Sequence, residues 1–203
     1  MPEEPPKVSF VPHQRDLTTG PGKWRWAIKT GADPAAAGIV GKPKQETTIA
    51  DLTAAPAPAQ LPPAGGGRVS GDVEGTVWEL SSQTTTLTGY KYESDQDYHL
   101  VVMDTNRRTM IVEIPDPTLL DNANPCKPLI AAARGAFDAK FGLQIRALKQ
   151  LVEAQPPNLS APMIVQVSVP VDVTGIGFFD ELHGQDGVAS NGVELHPVLS
   201  ITF

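Results

Sequence analysis

Histidines and acids gather near the C-terminus. His183 and His196, two of the four histidines, flank a loop that also holds Asp186, and Glu194 stands two residues before His196. Imidazole and carboxylate are ligands of zinc and related ions. Side chains alternate faces along a strand, so in the run Val193–Phe203 Glu194 and His196 share the face opposite Val193, Leu195 and Leu199. A set of His183, Glu194 and His196, or one that includes His99 and Glu113, has zinc chemistry. No short zinc spacing such as His-Glu-x-x-His accompanies it. A solvent-facing or hydrogen-bonded Glu194–His196 pair uses the same residues without an ion.

A second constellation lies mid-chain. Asp97 precedes the run Tyr98–Asp104, and Asp116 follows the run Thr109–Ile114. Two carboxylates meeting at one rim suit calcium, a hard cation with oxygen ligands. As ordinary turn acids they need no ion. If the two runs pair as a hairpin, His99 and Glu113 meet on one face. Tyr90, Lys91, Tyr92 and Tyr98 offer an aromatic and basic patch for a ligand such as a single strand or a sugar. Glu93, Asp95 and Asp97 beside them oppose a polyanion. Cys126 is the one cysteine, so no internal disulfide forms. It stands at a helix start without a neighbouring base and reads as a packed or surface thiol. Gly175-Ile-Gly177 has no third glycine and no helix after it, so it marks a bend or bulge and not a phosphate loop.

Runs of period two must position these groups. The first, Val73–Leu80, continues through Thr84–Thr88 to Tyr90–Tyr92. Tyr98–Asp104 and Thr109–Ile114 follow, joined by a turn at 105–108. The period then becomes helical: Asn124-Pro125 offers a start, Leu129, Ile130, Ala133, Phe137 and Phe141 recur, and Gly142 offers a stop. Leu148, Leu151 and Val152 extend or repeat the pattern. Met163–Thr174 and Val193–Phe203 return to period two. Three strands, a helix and two strands is the order of the OB fold, a five-stranded Greek-key β-barrel. The expected class is mainly β, with Val77, Leu80, Leu100, Val102, Met110, Val112, Phe137, Val171, Val173, Leu195 and Leu199 buried.

The chain changes character near residue 66. Residues 1–66 carry eleven of the twenty prolines and seven basic against six acidic residues; the remainder carries nine against seventeen. The reading is an extended arm and Pro/Gly linker over 1–66 and a barrel domain over 67–203, because the proline-rich part is too short to enclose a core. Lys23–Lys29 reads as a short strand with Trp24 and Trp26 on one face, a pair that must dock on the barrel or on a neighbouring subunit. The net charge of −7 disfavours nucleic acid without excluding a local basic groove. No run approaches the roughly 20 apolar residues of a membrane span, and the first residues lack the pattern of a signal peptide.

The wording of Tyr98–Asp104, Thr109–Pro117, Val173–Asp180, His183–Gln185 and Glu194–Val198 resembles that of a group of uncharacterised, often exported bacterial proteins, as does Lys29–Pro34. The resemblance covers most of the chain. It brings no activity and implies a periplasmic or extracellular location. The order of elements is also similar to that of staphylococcal-type nucleases, OB folds that hold calcium with acids at the start of strand two and the end of strand three. Asp97 and Asp116 stand in comparable places. The arginine within strand three and the glutamate after it do not carry over: Ile111 and Leu119 stand near those places, Arg107 and Arg108 lie in the turn, and Glu113 lies inside the strand. Phosphodiester hydrolysis lacks its charge clamp and its base. The expectation is a non-enzymatic module that binds a ligand or partner chain. A metal-dependent hydrolase is the first alternative. The second is a structural subunit that forms homo-oligomers by adding its arm to a neighbour's sheet.

Overall fold

A computed structural model describes residues 24–154 and 164–203, the side chains of 152–154 excepted. The first 23 residues of the expected arm, and Met163 at the expected start of the fourth strand, lie outside the described residues. The chain forms α1 (Trp26–Lys29), α2 (Ala36–Val40), β1 (Gln45–Thr47), α3 (Ile49–Ala54), β2 (Val77–Leu80), β3 (Thr85–Tyr92), β4 (Tyr98–Asp104), β5 (Thr109–Ile114), α4 (Lys127–Ala154), β6 (Val165–Pro170), β7 (Asp172–Phe179) and β8 (Val193–Thr202). The architecture is mainly β. All eight strands belong to one sheet, in the order β1-β2-β7-β8-β5-β4-β3-β6. β1 runs parallel to β2 and β5 parallel to β8; the other neighbours are antiparallel.

Two of the five expected strands break in two, for local reasons, and the short β1, within the expected arm, joins the sheet as an eighth. The first breaks where the N–H groups of Thr84 and Thr85 both turn back to Ser81 O. The fourth breaks at Pro170-Val171, where the chain leaves β3 as neighbour and takes up β2 and β8. The Asp172 carboxylate accepts from Ser82 N at 2.7 Å and ties the two breaks together.

The β4–β5 hairpin is built by its turn. Asp104 Oδ1 accepts from the N–H groups of Asn106 and Arg108 at 2.8 and 2.9 Å, and Arg107 takes the left-handed conformation at φ 66°. The register pairs His99 with Glu113. Alternation then sorts the hairpin. Tyr98, Leu100, Val102, Met110, Val112 and Ile114 join the main core under α4, whereas Val101 and Ile111, buried with His99 and Glu113, do not.

Helix α4 passes through Gly142, the expected stop, because Phe141, Ile145 and Leu148 continue the buried stripe of Ile130, Ala133 and Phe137. One interior glycine costs only about 1 kcal/mol. Phe137 lies 5.2 Å from Tyr90, 5.3 Å from Tyr98 and 4.9 Å from Phe141, ring centre to ring centre. All eleven residues expected in the core are buried.

Of the expected short strand Lys23–Lys29, the described residues 24–29 form no strand. Arg25 adopts φ 56° and α1 begins at the next residue. The cause is the Arg25 guanidinium, which turns inward. It donates to Glu74 Oε1 at 2.8 Å and Oε2 at 2.5 Å, to Phe179 O at 3.2 Å and to Gly67 O at 2.9 Å. Trp24 packs edge-on to Phe178 at 6.2 Å, and Trp26 packs against the main core, so the two indoles do not share a face. Ile39, Ile49 and Leu52 also join that core.

Candidate functional site

Two regions are candidates. The first is a sealed polar centre on the sheet face away from α4. β4 supplies His99, with Asp97 just before it; β5 supplies Glu113; β8 supplies Glu194 and His196. Asp97 and His196 are fully buried, Glu194 and His99 are 1% exposed and Glu113 is 5% exposed. α1 packs against β8 and brings Lys29, whose ammonium donates to Asp180 Oδ2 at 2.9 Å. Phe178 covers His196 edge-on at 5.7 Å.

His99 is fully paired. Its Nδ1 lies 2.8 Å from Glu113 Oε1 and its Nε2 lies 2.9 Å from the carbonyl oxygen of Asp186. Both partners are acceptors, so the ring donates from both nitrogens as an imidazolium. Burial alone would lower the His99 pKa, but the bond and the charge of Glu113 raise it. Glu93 adds a carboxylate oxygen 3.5 Å from Nδ1, itself 3.0 Å from Lys91 Nζ.

His196 differs. Its Nδ1 faces Glu113 Oε2 at 3.1 Å and Glu194 Oε2 at 3.8 Å, and its Nε2 faces Asp97 Oδ2 at 3.4 Å. None of these is an aligned hydrogen bond, and both ring nitrogens, Asp97 Oδ2 and Glu194 Oε2 have no hydrogen-bond partner among the described residues. Burial would raise the Glu113 carboxyl, but His196, His99 and Lys29 hold it well below its usual range. Burial, reinforced by the Glu113 charge, pushes Asp97 up to about 8 and Glu194 up to about 7. Against burial, the carboxylates of Glu113, Asp180 and Glu194 raise the Lys29 pKa.

Of the residues singled out as metal ligands, Asp97, Glu194 and His196 meet here, joined by Glu113. Asp116 does not. Its Oδ1 caps the turn Pro117–Leu119 by accepting from Thr118 N at 2.9 Å, and its Oδ2 lies 3.4 Å from Arg134 Nη2. It touches the centre only through its N–H, which donates to Asp97 Oδ1 at 3.3 Å. His183 lies exposed in the loop before β8, its N–H bonded to Gln185 Oε1. The patch read from Tyr90, Lys91, Tyr92 and Tyr98 is not a surface. The three tyrosines are buried in the main core, and alternation sends Lys91 to the other face, beside Glu93. The Cys126 thiol is buried, and burial pushes its pKa up to about 11.

The second region is a solvent-open cavity of about 550 Å³ between α3, the segment 55–58, the loop 69–74 and β2. Leu52, Pro56, Pro58, Val73, Trp78 and Phe179 form apolar walls. Of its acids, Glu74 is engaged by Arg25, Val69 N and Phe179 N, and Asp51 accepts from the Thr48 hydroxyl. Asp72 is exposed and its carboxylate has no hydrogen bond or ion pair among the described residues. Among the described residues, no His, Cys, Lys, Arg or Tyr lines the cavity.

Sequence reading does not find Arg25, Glu74, Lys29 or this cavity. The one signal is a cation between two tryptophans: an arginine amid so much apolar surface must find a carboxylate when buried. Nothing in the sequence names Glu74 as that partner. Compared with family models, with curated proteins and with solved structures, the chain finds no match.

Proposed function

We propose that this protein is a non-enzymatic binding module of OB-like architecture, and that its ligand is a small organic cation with an apolar body, held in the cavity beside Trp78. The connectivity supports the OB-like reading. If β2 with β3 and β6 with β7 are each counted as one bent strand, five strands remain besides the short β1 at the edge. Their order is one-two-three-five-four-one, strands three and five are parallel, and a helix joins three to four. That is Greek-key barrel connectivity.

The observation that carries the functional reading is the split between chemistry and access. Every histidine of the sheet is buried, and all its carboxylate partners except the half-buried Glu93 are buried too, whereas the open cavity offers apolar walls, one indole and one free carboxylate among the described residues. Its hydroxyls are those of Thr47 and Ser70, and among the described residues no imidazole or amine lines the cavity to act as base. The volume is in the range of small-molecule sites. A cation suits Asp72 by charge and Trp78 by its π-system. The sealed centre weighs against a metal-dependent hydrolase, which needs a position open to substrate.

Titration of the protein with 3-phenylpropylammonium and with 3-phenylpropionate, followed by tryptophan fluorescence, tests this. The expected result is saturable binding of the ammonium, at least tenfold tighter than of the carboxylate. Equal binding of the two, or binding of neither, contradicts it.

A further inference from the structure

We infer that Asp97, Glu113 and His196 hold one divalent transition-metal ion of the zinc class, sealed behind α1 and serving stability. This goes beyond the binding reading and uses none of the cavity residues.

Unmet hydrogen-bonding capacity comes first. Seven buried side-chain atoms lack a hydrogen bond among the described residues, and four of them are Asp97 Oδ2, Glu194 Oε2 and the two nitrogens of His196. Each buried unpaired polar group costs about 1–3 kcal/mol. The four gather on and around one imidazole, Asp97 Oδ2 beside Nε2 and Glu194 Oε2 beside Nδ1, and the described residues supply no partner for them.

Geometry comes second. Asp97, Glu113 and His196 each bring a ligand atom to within 4.8 Å of the other two. A tetrahedral site with bonds of about 2.1 Å has ligand–ligand edges of about 3.4 Å. Glu113 Oε2 stands 3.1 Å from His196 Nδ1 and Asp97 Oδ2 3.4 Å from Nε2, off the line of a hydrogen bond; one ring nitrogen serves the ion, so one of these distances is a ligand edge and the other carboxylate lies within 4.8 Å of the same nitrogen. Glu194 Oε2, 3.8 Å from Nδ1, adds a further carboxyl oxygen.

Charge comes third. Three carboxylates meet around one imidazole. The cations that border them are engaged: His99 by Glu113 Oε1 and the Asp186 carbonyl, Lys29 by Asp180 at 2.9 Å, and Arg134 by Asp116 and the carbonyls of Ile114 and Gln96. No ion pair joins Lys29 to Asp97, Glu113 or Glu194. His99 also sets the ligand orientation. By donating to Glu113 Oε1 it leaves Oε2 facing His196, the outer-shell arrangement that fixes a metal carboxylate.

The donor set selects the ion. One imidazole with carboxylates suits zinc and its neighbours. Calcium takes about 6–8 oxygens at longer distances, more than three sealed carboxylates and a ring supply.

The test uses the full chain. Purified protein is dialysed, its metal content is measured, and its melting temperature is recorded with chelator and after return of zinc or calcium. One equivalent of a divalent transition metal is expected, with melting lowered by chelation and restored by zinc but not by calcium. Asp97→Asn and His196→Gln should each retain less than a tenth of the wild-type metal; His183→Ala, on the exposed loop, should retain all of it. If His196→Gln fails to fold, a cobalt titration of the chelated wild type decides: visible ligand-field bands saturating at one equivalent and displaced by zinc support the site. Absence of such bands, absence of metal with melting indifferent to zinc, or metal retained in folded His196→Gln and Asp97→Asn would each overturn it.

Discussion

Adjacent residues of β7 face the two regions. Phe178 packs edge-on to His196 in the sealed centre, and Phe179 lines the open cavity. On one side the ionisable groups are dense and mostly buried. On the other a ligand has room and the ionisable groups are few. The Arg25–Glu74 pair is the partition: Arg25 lies over Phe178 at 4.9 Å, and Glu74 lines the cavity. The lesson is that a cluster of acids and imidazoles is a site for substrate only when something can reach it. Here the chemistry-rich region is built to hold, and the chemistry-poor region is built to receive.

The largest expected effect belongs to the sealed side and depends on pH. In protein stripped of divalent ions, Asp97 and Glu194 have carboxyl pKa values raised by burial to about 8 and about 7. Raised carboxyls bind protons more tightly folded than unfolded. Their contribution is therefore complete below about pH 4 and is lost as pH rises through those two values. The slope is at most about 1.4 kcal/mol per pH unit for each group. Glu113, held low, acts the other way, and only below about pH 4.5. Denaturation of chelated protein should show stability falling between pH 5 and pH 8, and added zinc should flatten the fall. A chelated protein that gains stability over that window would break the comparison.

Next comes the partition. Arg25→Ala leaves Glu74 buried without its partner, a loss of about 3–5 kcal/mol. Urea denaturation should report it, and both ligand binding and metal retention should weaken together. The cavity side predicts a smaller and more selective effect. Asp72→Asn should weaken binding of a phenylalkylammonium about tenfold, or about 1.4 kcal/mol, with folding stability unchanged within about 0.5 kcal/mol. At the bottom of the scale, Leu143→Ser, on the exposed face of α4, should move neither stability nor binding beyond that margin.

The legible parts were those where side-chain period and burial coincide. β4 and β5 are short runs of strict alternation, and pairing them across a four-residue turn brings His99 to Glu113. The core stripe of α4 was equally readable up to Phe141. Beyond it Gly142 gives a local stop signal that the packing of Ile145 and Leu148 overrides. Pro170-Val171 keeps a period of two while the chain changes sheet neighbours, so a bend there leaves no trace in the pattern. Glu194 and His196 share a face with the period of a solvent-facing edge, but α1 covers that face, and coverage by a distant segment is not encoded in alternation. Asp116 and His183 resemble ligands by type alone. One caps a turn and the other lies on an exposed loop.

Amide NMR during titration with 3-phenylpropylammonium tests the central claim most directly, because it reports both regions in one experiment. The account predicts saturable shifts at Leu52, Val69, Val73 and Trp78 around the cavity, with His99, Glu113 and His196 unmoved. Shifts centred on the sealed residues, or none anywhere at saturating ammonium, would contradict it.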